Sequence, residues 1–126
     1  MPINIRSAGD ILDAARDAKK DAINAERDRR EAGGFEYQGV FYDSDERSAK
    51  RILVAVSAAM ADVEGFQIAW TAQDNSTHLL DGPAMIGLNA ALAMHGNALH
   101  ETARSLKTQV EAATSKSEVD AVEWPE

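Results

Sequence analysis

The sequence predicts an α+β fold: an N-terminal helix and two β-hairpins forming a small antiparallel sheet, packed against a middle helix and a long C-terminal helix. Two stretches predict the hairpins, because residues 35–42 and 66–70 alternate apolar side chains beside a glycine-containing or polar turn. Apolar residues three or four positions apart at 49–63 and 85–110 predict helices that are buried along one side.

The composition fits one small domain, with room for an appended element. The chain has 126 residues, no cysteine and a formal net charge of −8. Alanine supplies much of its 44 % apolar content, so we expect a thin core that favours a homo-oligomer such as a trimer. The negative charge disfavours nucleic-acid phosphates and anionic membranes as partners. The start lacks a signal peptide and no apolar run reaches the roughly 18 residues of a membrane span, so we expect a soluble chain.

The first third of the chain reads as a helical arm. Residues 1–6 are expected to be extended, with Ile3 and Ile5 on one side, and a charged helix follows from Ser7 to Ala32. We therefore divide the chain into an arm at 1–33 and a small α+β domain at 34–126. Along the helix, a heptad-like seam built almost wholly from alanine predicts an interaction face: Ala8, Ile11, Ala15, Ala18, Ala22 and Ala25. This seam has two interpretations, packing on the chain's own long helix or forming a short oligomeric coil.

The first hairpin and the middle helix follow directly. A two-residue turn at Gln38-Gly39 pairs Tyr37 with Val40 and Phe35 with Tyr42, which places these four side chains on one face. Asp43 is predicted to cap the next helix, with Glu46 completing a capping box. The predicted buried stripe of that helix comprises Ala49, Ile52, Leu53, Val56, Met60 and Val63.

The second hairpin precedes the longest helix. Phe66, Ile68 and Trp70 are predicted to face the core, and residues 77–80 return as the partner strand. Asp81 and Pro83 predict the start of a helix that continues to about residue 113. Its predicted stripe comprises Met85, Leu88, Leu92, His95, Leu99, Ala103, Leu106 and Val110. Ser115 with Glu118 begins a last short helix that carries Val119 and Val122.

No residue pattern predicts catalysis, a cofactor or a metal. Asp43, Asp45 and Glu46 lack the spacing of a calcium loop, and they are explained by capping. His95 and His100 are five positions apart, so they do not share a helix face as a zinc pair would. Glycine-rich phosphate loops and nucleophile elbows do not occur. We therefore predict a protein that is not an enzyme, with no catalytic, cofactor-binding or metal-binding residues.

Several short motifs between Gly34 and Trp124 occur in a recognisable order. The most specific are Tyr42-Asp43-Ser44-Asp45 and Trp70-Thr71-Ala72-Gln73-Asp74-Asn75-Ser76-Thr77. The set is completed by Arg51-Ile52, His95, residues 106–114 and Glu118 to Trp124. Over residues 34–124 the chain resembles an uncharacterised domain family of tailed bacteriophages and prophages, often encoded beside or within tail-fibre proteins. The N-terminal helix lies outside this resemblance.

The resemblance implies a non-enzymatic tail or tail-fibre protein that acts through protein–protein assembly with other tail or fibre proteins. It implies a location in the virion tail after synthesis in the bacterial host cytoplasm. Two alternatives stay open: a tail-fibre assembly chaperone and a prophage-encoded regulator that binds a host protein. The sequence favours the structural role over the chaperone, because it shows no large apolar patch without an assigned place.

Overall fold

The computed structural model describes residues 7–126, so the extended segment predicted for residues 1–6 lies outside the described residues. The α+β class is confirmed. In chain order the elements are α1 (Ala8–Glu31), β1 (Phe35–Tyr37), β2 (Val40–Tyr42), α2 (Glu46–Ala61), β3 (Gln67–Thr71), β4 (Thr77–Asp81), α3 (Gly82–Ala112) and α4 (Lys116–Asp120).

The first hairpin has the predicted register. Phe35 pairs with Tyr42 and Tyr37 with Val40. Gln38 and Gly39 have φ angles of 50° and 78°, the left-handed pair that a two-residue turn needs to match the twist of its strands. Phe35 and Tyr42 are buried, whereas Phe41 on the opposite face is exposed, so the predicted assignment of faces is confirmed.

The second hairpin also forms where predicted, although it is a separate sheet. β3 and β4 pair antiparallel, with Ile68 opposite Leu80 and Trp70 opposite His78. Each hairpin is a two-stranded sheet, so the single small sheet expected from the sequence does not form. One backbone hydrogen bond, from Gln73 N–H to the Phe41 carbonyl at 2.9 Å, connects the hairpins where a shared ladder was expected.

Helix α2 starts two residues later than predicted. Asp45, rather than Asp43, caps it and accepts a hydrogen bond from the Ser48 backbone N–H. The reason is Ser44, whose buried hydroxyl donates to the Glu31 carbonyl and accepts from Gly34 N–H at 2.7 Å. These bonds hold residue 44 in the preceding loop, so the next residue is the first that is free to cap.

The buried side of α2 also differs from the predicted stripe. Ile52 and Val56 are buried as expected, together with Ala55 and Ala59. The predicted members Leu53, Met60 and Val63 are exposed, and the helix ends at Ala61, before Val63. Ala55 and Ala59 therefore occupy the buried side where Leu53 and Met60 were predicted. Their small side chains allow α2 to approach its neighbours closely.

The long helix follows its prediction closely. The Asp81 carboxylate accepts from Ala84 N–H at 2.9 Å and caps the first turn. Met85, Leu88, Ala103, Leu106 and Val110 of the predicted stripe are buried. Gly87 in this helix faces the Tyr37 hydroxyl, and a side chain at this position would collide with it. Ser115 caps α4 as predicted, accepting from Glu118 N–H at 3.1 Å.

The chain packs as two compact units. One comprises Arg29–Leu99, and the other comprises residues 7–28 together with His100–Glu126. The core of the first contains both hairpins, α2 and the first turns of α3, with Phe35, Tyr42, Ile52, Met85 and Leu88 among its buried residues. The predicted division into an arm at 1–33 and an α+β domain at 34–126 distinguishes a segment used for assembly, and it stays a prediction.

The second unit has its own core. Its buried residues are Ile23, Ala103, Leu106, Val110, Ala113, Val119 and Val122. Ile23 comes from α1 and the others come from the end of α3 and the segment around α4. The N-terminal helix therefore contributes to a core within its own chain.

Candidate functional site

An open groove runs between α2 and β3 in the unit Arg29–Leu99. Its volume is about 470 Å³, within the range of ligand-binding clefts. One wall comes from successive turns of α2: Arg47, Lys50, Arg51, Val54, Ala55 and Ala58. The other wall comes from β3 and the residue before it: Phe66, Ile68 and Trp70.

The two walls follow from simple sequence periods. Positions 47, 51, 54 and 58 are three or four apart, so they lie along one side of the helix. Phe66, Ile68 and Trp70 are two apart, so they share one face of the strand. These three side chains are only partly buried, whereas Leu80, which pairs with Ile68, is 6 % exposed. The side chains of β3 on this face are therefore less completely covered than Leu80 of β4.

The groove has a basic end. Arg51 places its guanidinium 5.5 Å from the centre of the Trp70 ring, a cation–π contact that fixes the charge at this end. Lys50 forms an exposed ion pair with Glu46 at 3.3 Å, which contributes little to stability. Arg47 and Arg51 form no ion pair within 4.0 Å among residues 7–126. The groove is therefore an apolar cleft with positive charge at one end.

The predicted interaction residues of α1 lie mostly on its outer side. Ala8, Ile11, Ala18, Ala22 and Ala25 are exposed, and Ala15 packs against the core around Val110. The side of α1 that packs within the chain is a neighbouring stripe, formed by Leu12, Ala15 and Ile23. The structure thus leaves the predicted seam accessible, with Ala15 at its boundary.

Two cations of α1 cap other helices, a role that the sequence did not reveal. Arg16 donates from Nη2 to the Ala113 carbonyl at 2.6 Å, just beyond the end of α3. Lys19 donates to the Asp120 and Val122 carbonyls at 3.3 and 3.1 Å, at the end of α4. Both contacts satisfy carbonyls that helix ends leave unpaired, and they place positive charge at the negative ends of the helix dipoles.

A further pair joins α1 to α3 within the same unit. Lys20 donates a hydrogen bond to Glu111. This bond raises the pKa of Lys20 and lowers the pKa of Glu111, so each group favours the charged state of the other. The interaction is solvent-exposed, so it contributes little to stability.

The turn of the second hairpin brings together an acid, a serine and a histidine. The Nε2 atom of His78 lies 2.8 Å from the Ser76 hydroxyl oxygen. Asp74 accepts from that hydroxyl at 2.5 Å and from Ser76 N–H at 2.9 Å. The His78 and Tyr42 rings also pack in an edge-to-face arrangement, with their centres 6.2 Å apart.

This arrangement differs from a nucleophilic triad. In a triad the acid orients the histidine through its second ring nitrogen, whereas Asp74 contacts the serine. The Ser76 hydroxyl lowers the pKa of Asp74, so the carboxylate is a hydrogen-bond acceptor rather than a proton donor. The three residues form a hydrogen-bonded turn in which Asn75 adopts a φ of 69°.

From residue 7 onward, no three histidine, cysteine, aspartate or glutamate side chains converge in an arrangement that would hold a metal ion. Nor is any helix in this range both long and apolar enough to cross a membrane.

The fold and the groove define a small α+β domain with an open, mainly apolar cleft. The chain belongs to the family described as Domain of unknown function (DUF4376), which matches residues 14–123. The match begins inside α1, so the expectation that the N-terminal helix lies outside the family is wrong. No curated protein and no solved structure matches the chain.

Proposed function

We propose that this protein is a non-enzymatic bacteriophage tail or tail-fibre protein that acts through protein–protein assembly. The observation that carries the binding role is the open groove between α2 and β3, in which apolar side chains lie next to a basic end. Exposed apolar surface with a polar rim marks interaction sites in small domains. The assignment to phage tails rests on the resemblance of the motifs in residues 34–124.

The exposed side of α1 supports the same proposal as a second contact surface. Its inner stripe is used within the chain, whereas Ala18, Ala22 and Ala25 remain accessible for another helix. Small side chains allow a partner helix to approach closely, although each buries little area. A homo-oligomer, or attachment to a fibre trimer, would cover this face.

The groove also favours a second candidate, the tail-fibre assembly chaperone. The sequence disfavours a chaperone because it shows no large apolar patch without an assigned place. In the structure, however, such a patch is formed by Val54, Ala58, Phe66 and Trp70. An open cleft of this kind suits temporary capture of a fibre segment as well as permanent attachment.

The composition of purified virions separates these two roles. We expect peptides of this protein in the mass spectra of mature particles, in a stoichiometric ratio to the fibre. Absence from mature particles would overturn the structural role. In that case the chaperone role requires that co-expression with the adjoining fibre gene raises the yield of soluble, trimeric fibre, and an unchanged yield would overturn the proposal as a whole.

A further inference from the structure

The groove is chemically uneven along its length. Trp70 lies at the end occupied by Arg51, because the guanidinium and the indole are in contact. Phe66 is four residues earlier, about 13 Å away along an extended chain, and therefore lies towards Ala58. The basic end is formed by Arg47 and Arg51, and the other end is lined by aliphatic and aromatic groups.

The positive end is unusual in this acidic protein. The unit Arg29–Leu99 contains five basic residues: Arg29, Arg30, Arg47, Lys50 and Arg51. Three of these five line the groove, although acidic residues outnumber basic ones in the unit. Arg47 and Arg51, which form no ion pair among residues 7–126, line an apolar cleft and so provide complementarity for a carboxylate on a partner.

The strand beside the groove has an unpaired edge. Ala72 N–H donates to the Ser76 carbonyl at 2.8 Å, so residues 72 and 76 form a hydrogen-bonded pair of the ladder. Along an antiparallel ladder, such pairs alternate with pairs that exchange no hydrogen bond. In an antiparallel ladder with this register, the N–H and C=O groups of Ala69 and Thr71 point away from β4. No hydrogen bond from elsewhere in residues 7–126 reaches these groups.

The edge also lacks the usual protection against strand addition. β3 has the sequence Gln-Ile-Ala-Trp-Thr, with no charged residue and no proline. A segment that paired with this edge would place every second side chain on the face of Ile68 and Trp70, over the groove. Backbone pairing and side-chain burial would then occur together.

We propose that the groove binds an extended segment of a partner protein in which two apolar side chains at alternate positions are followed, at the next alternate position, by an aspartate or glutamate. The apolar side chains occupy the cleft beside Val54, Phe66 and Ile68, and the carboxylate contacts Arg47 and Arg51. This inference rests on the proposed function, since it specifies the chemistry of the partner.

A peptide fits these observations better than a small amphipathic molecule or a membrane. A small ligand is held by enclosing most of its surface, whereas this groove is open along its length. A membrane surface offers no backbone groups to pair with Ala69 and Thr71. Only a peptide uses the apolar cleft, the cations and the strand edge at the same time.

Fluorescence anisotropy with short labelled peptides tests the inference on the full chain. The probe is Thr-Ile-Thr-Val-Thr-Glu-Thr, together with its reverse sequence, because a strand can add in either direction. A version with lysine in place of glutamate is the charge control. We expect saturable binding of at least one glutamate peptide and at least about tenfold weaker binding of its lysine version.

Two neighbouring residues of α2 supply a matched pair of variants. Val54 lines the groove and is 71 % exposed, whereas Leu53 is 60 % exposed and lies outside the groove lining. We expect Val54→Glu to weaken peptide binding by about tenfold or more, as should Arg51→Gln, and Leu53→Glu to leave it unchanged. Equal thermal melting of both glutamate variants shows that folding is not the cause.

The inference would be overturned if neither glutamate peptide bound saturably, or if Val54→Glu and Leu53→Glu bound the peptide equally well. It would also be overturned if the protein bound phosphatidylglycerol vesicles but no peptide, and Val54→Glu weakened that vesicle binding. The virion and co-expression experiments are independent of these peptides. A chain that is present in virions but binds no peptide loses only the groove assignment. A chain that binds peptide but is absent from virions and without effect on fibre yield loses the proposed function instead.

Discussion

Each of the two compact units is stabilised internally by a different kind of contact. The core of Arg29–Leu99 contains large buried side chains, including Phe35, Tyr42 and Met85. The core of the other unit consists mainly of valine, alanine and single isoleucine and leucine residues. In addition, Arg16 and Lys19 bind carbonyls at helix ends in this second unit.

The open apolar groove lies in the first unit, beside Trp70. In the second unit, charged side chains of α1 bind carbonyls at helix ends. We therefore expect the first unit to respond most to loss of apolar volume and the second to loss of charge.

The largest effect is expected from Leu88→Ala in the aromatic core. Leu88 is 0 % exposed, so the substitution removes buried methyl groups and leaves a cavity that costs about 3–5 kcal/mol of unfolding free energy. Leu79→Ala is the control, because Leu79 is 65 % exposed and should change stability by less than about 0.5 kcal/mol. Urea unfolding followed by circular dichroism measures both, and equal effects would contradict the assignment of the core.

Ile23→Ala is expected to have the next largest effect. Ile23 is 3 % exposed and is the buried residue that α1 contributes to the second core, so the cost should be about 2–3 kcal/mol. Ile11→Ala on the same helix is the matched control, since Ile11 is 45 % exposed. If Ile23→Ala unfolds no earlier in urea than Ile11→Ala, α1 does not pack within its own chain.

Arg16→Met tests the contribution of charge to the second unit. The substitution keeps most of the apolar stem but removes the hydrogen bond to the Ala113 carbonyl, so it should cost about 1–3 kcal/mol. Arg104→Met, at an exposed position of α3, should be nearly neutral. Thermal melts at low and high salt should show a smaller difference between Arg16→Met and the native chain at high salt, and a larger difference would argue against an electrostatic cap.

A smaller effect is expected from acid. The Ser48 hydroxyl lowers the pKa of Asp45 at the start of α2, so the folded state favours the ionised carboxylate. The resulting stabilisation is present above the pKa of an unfolded aspartate and is lost as pH falls through the lower folded pKa. Ser48→Ala should raise the pKa of Asp45 in a carboxyl NMR titration, while Ser57→Ala on the same helix should leave it unchanged. An unchanged Asp45 titration in Ser48→Ala would refute the assigned cause.

Ala18→Glu should have the smallest effect on the isolated fold. Ala18 is exposed on the outer side of α1, so the free energy of unfolding should change by less than about 0.5 kcal/mol. The proposed oligomer should nevertheless dissociate, because a charge is introduced into a helix contact built from small residues. Light scattering coupled to size-exclusion chromatography measures this, and an unchanged mass would show that the outer face of α1 forms no contact.

Much of the fold is predictable from local patterns in the sequence. The Gln38-Gly39 turn fixes the first register, and Asp81 and Ser115 mark the starts of α3 and α4. These features depend on residues close together in the chain, and so a single sequence reveals them. The stripe of α3 is also visible because its period persists over many turns.

Features that depend on distant contacts are not predictable in the same way. The start of α2 is set by hydrogen bonds from Ser44 to residues of the preceding loop. The packed stripe of α1 differs from the predicted seam, and Arg16 and Lys19 of this helix bind carbonyls that are distant in sequence. Trp70 was expected in the core, yet it is only partly buried and lines the groove. Only the folded arrangement shows which apolar residues remain uncovered.

The most direct test of the proposed function is complex formation between this protein and a tail-fibre protein, the partner that we propose for it. The two proteins are co-expressed and analysed by size-exclusion chromatography, with native, Leu53→Glu and Val54→Glu chains in parallel. The account predicts that the native and Leu53→Glu chains elute with the fibre and that Val54→Glu elutes alone while still folded. Elution of all three chains with the fibre, or of none, would contradict it.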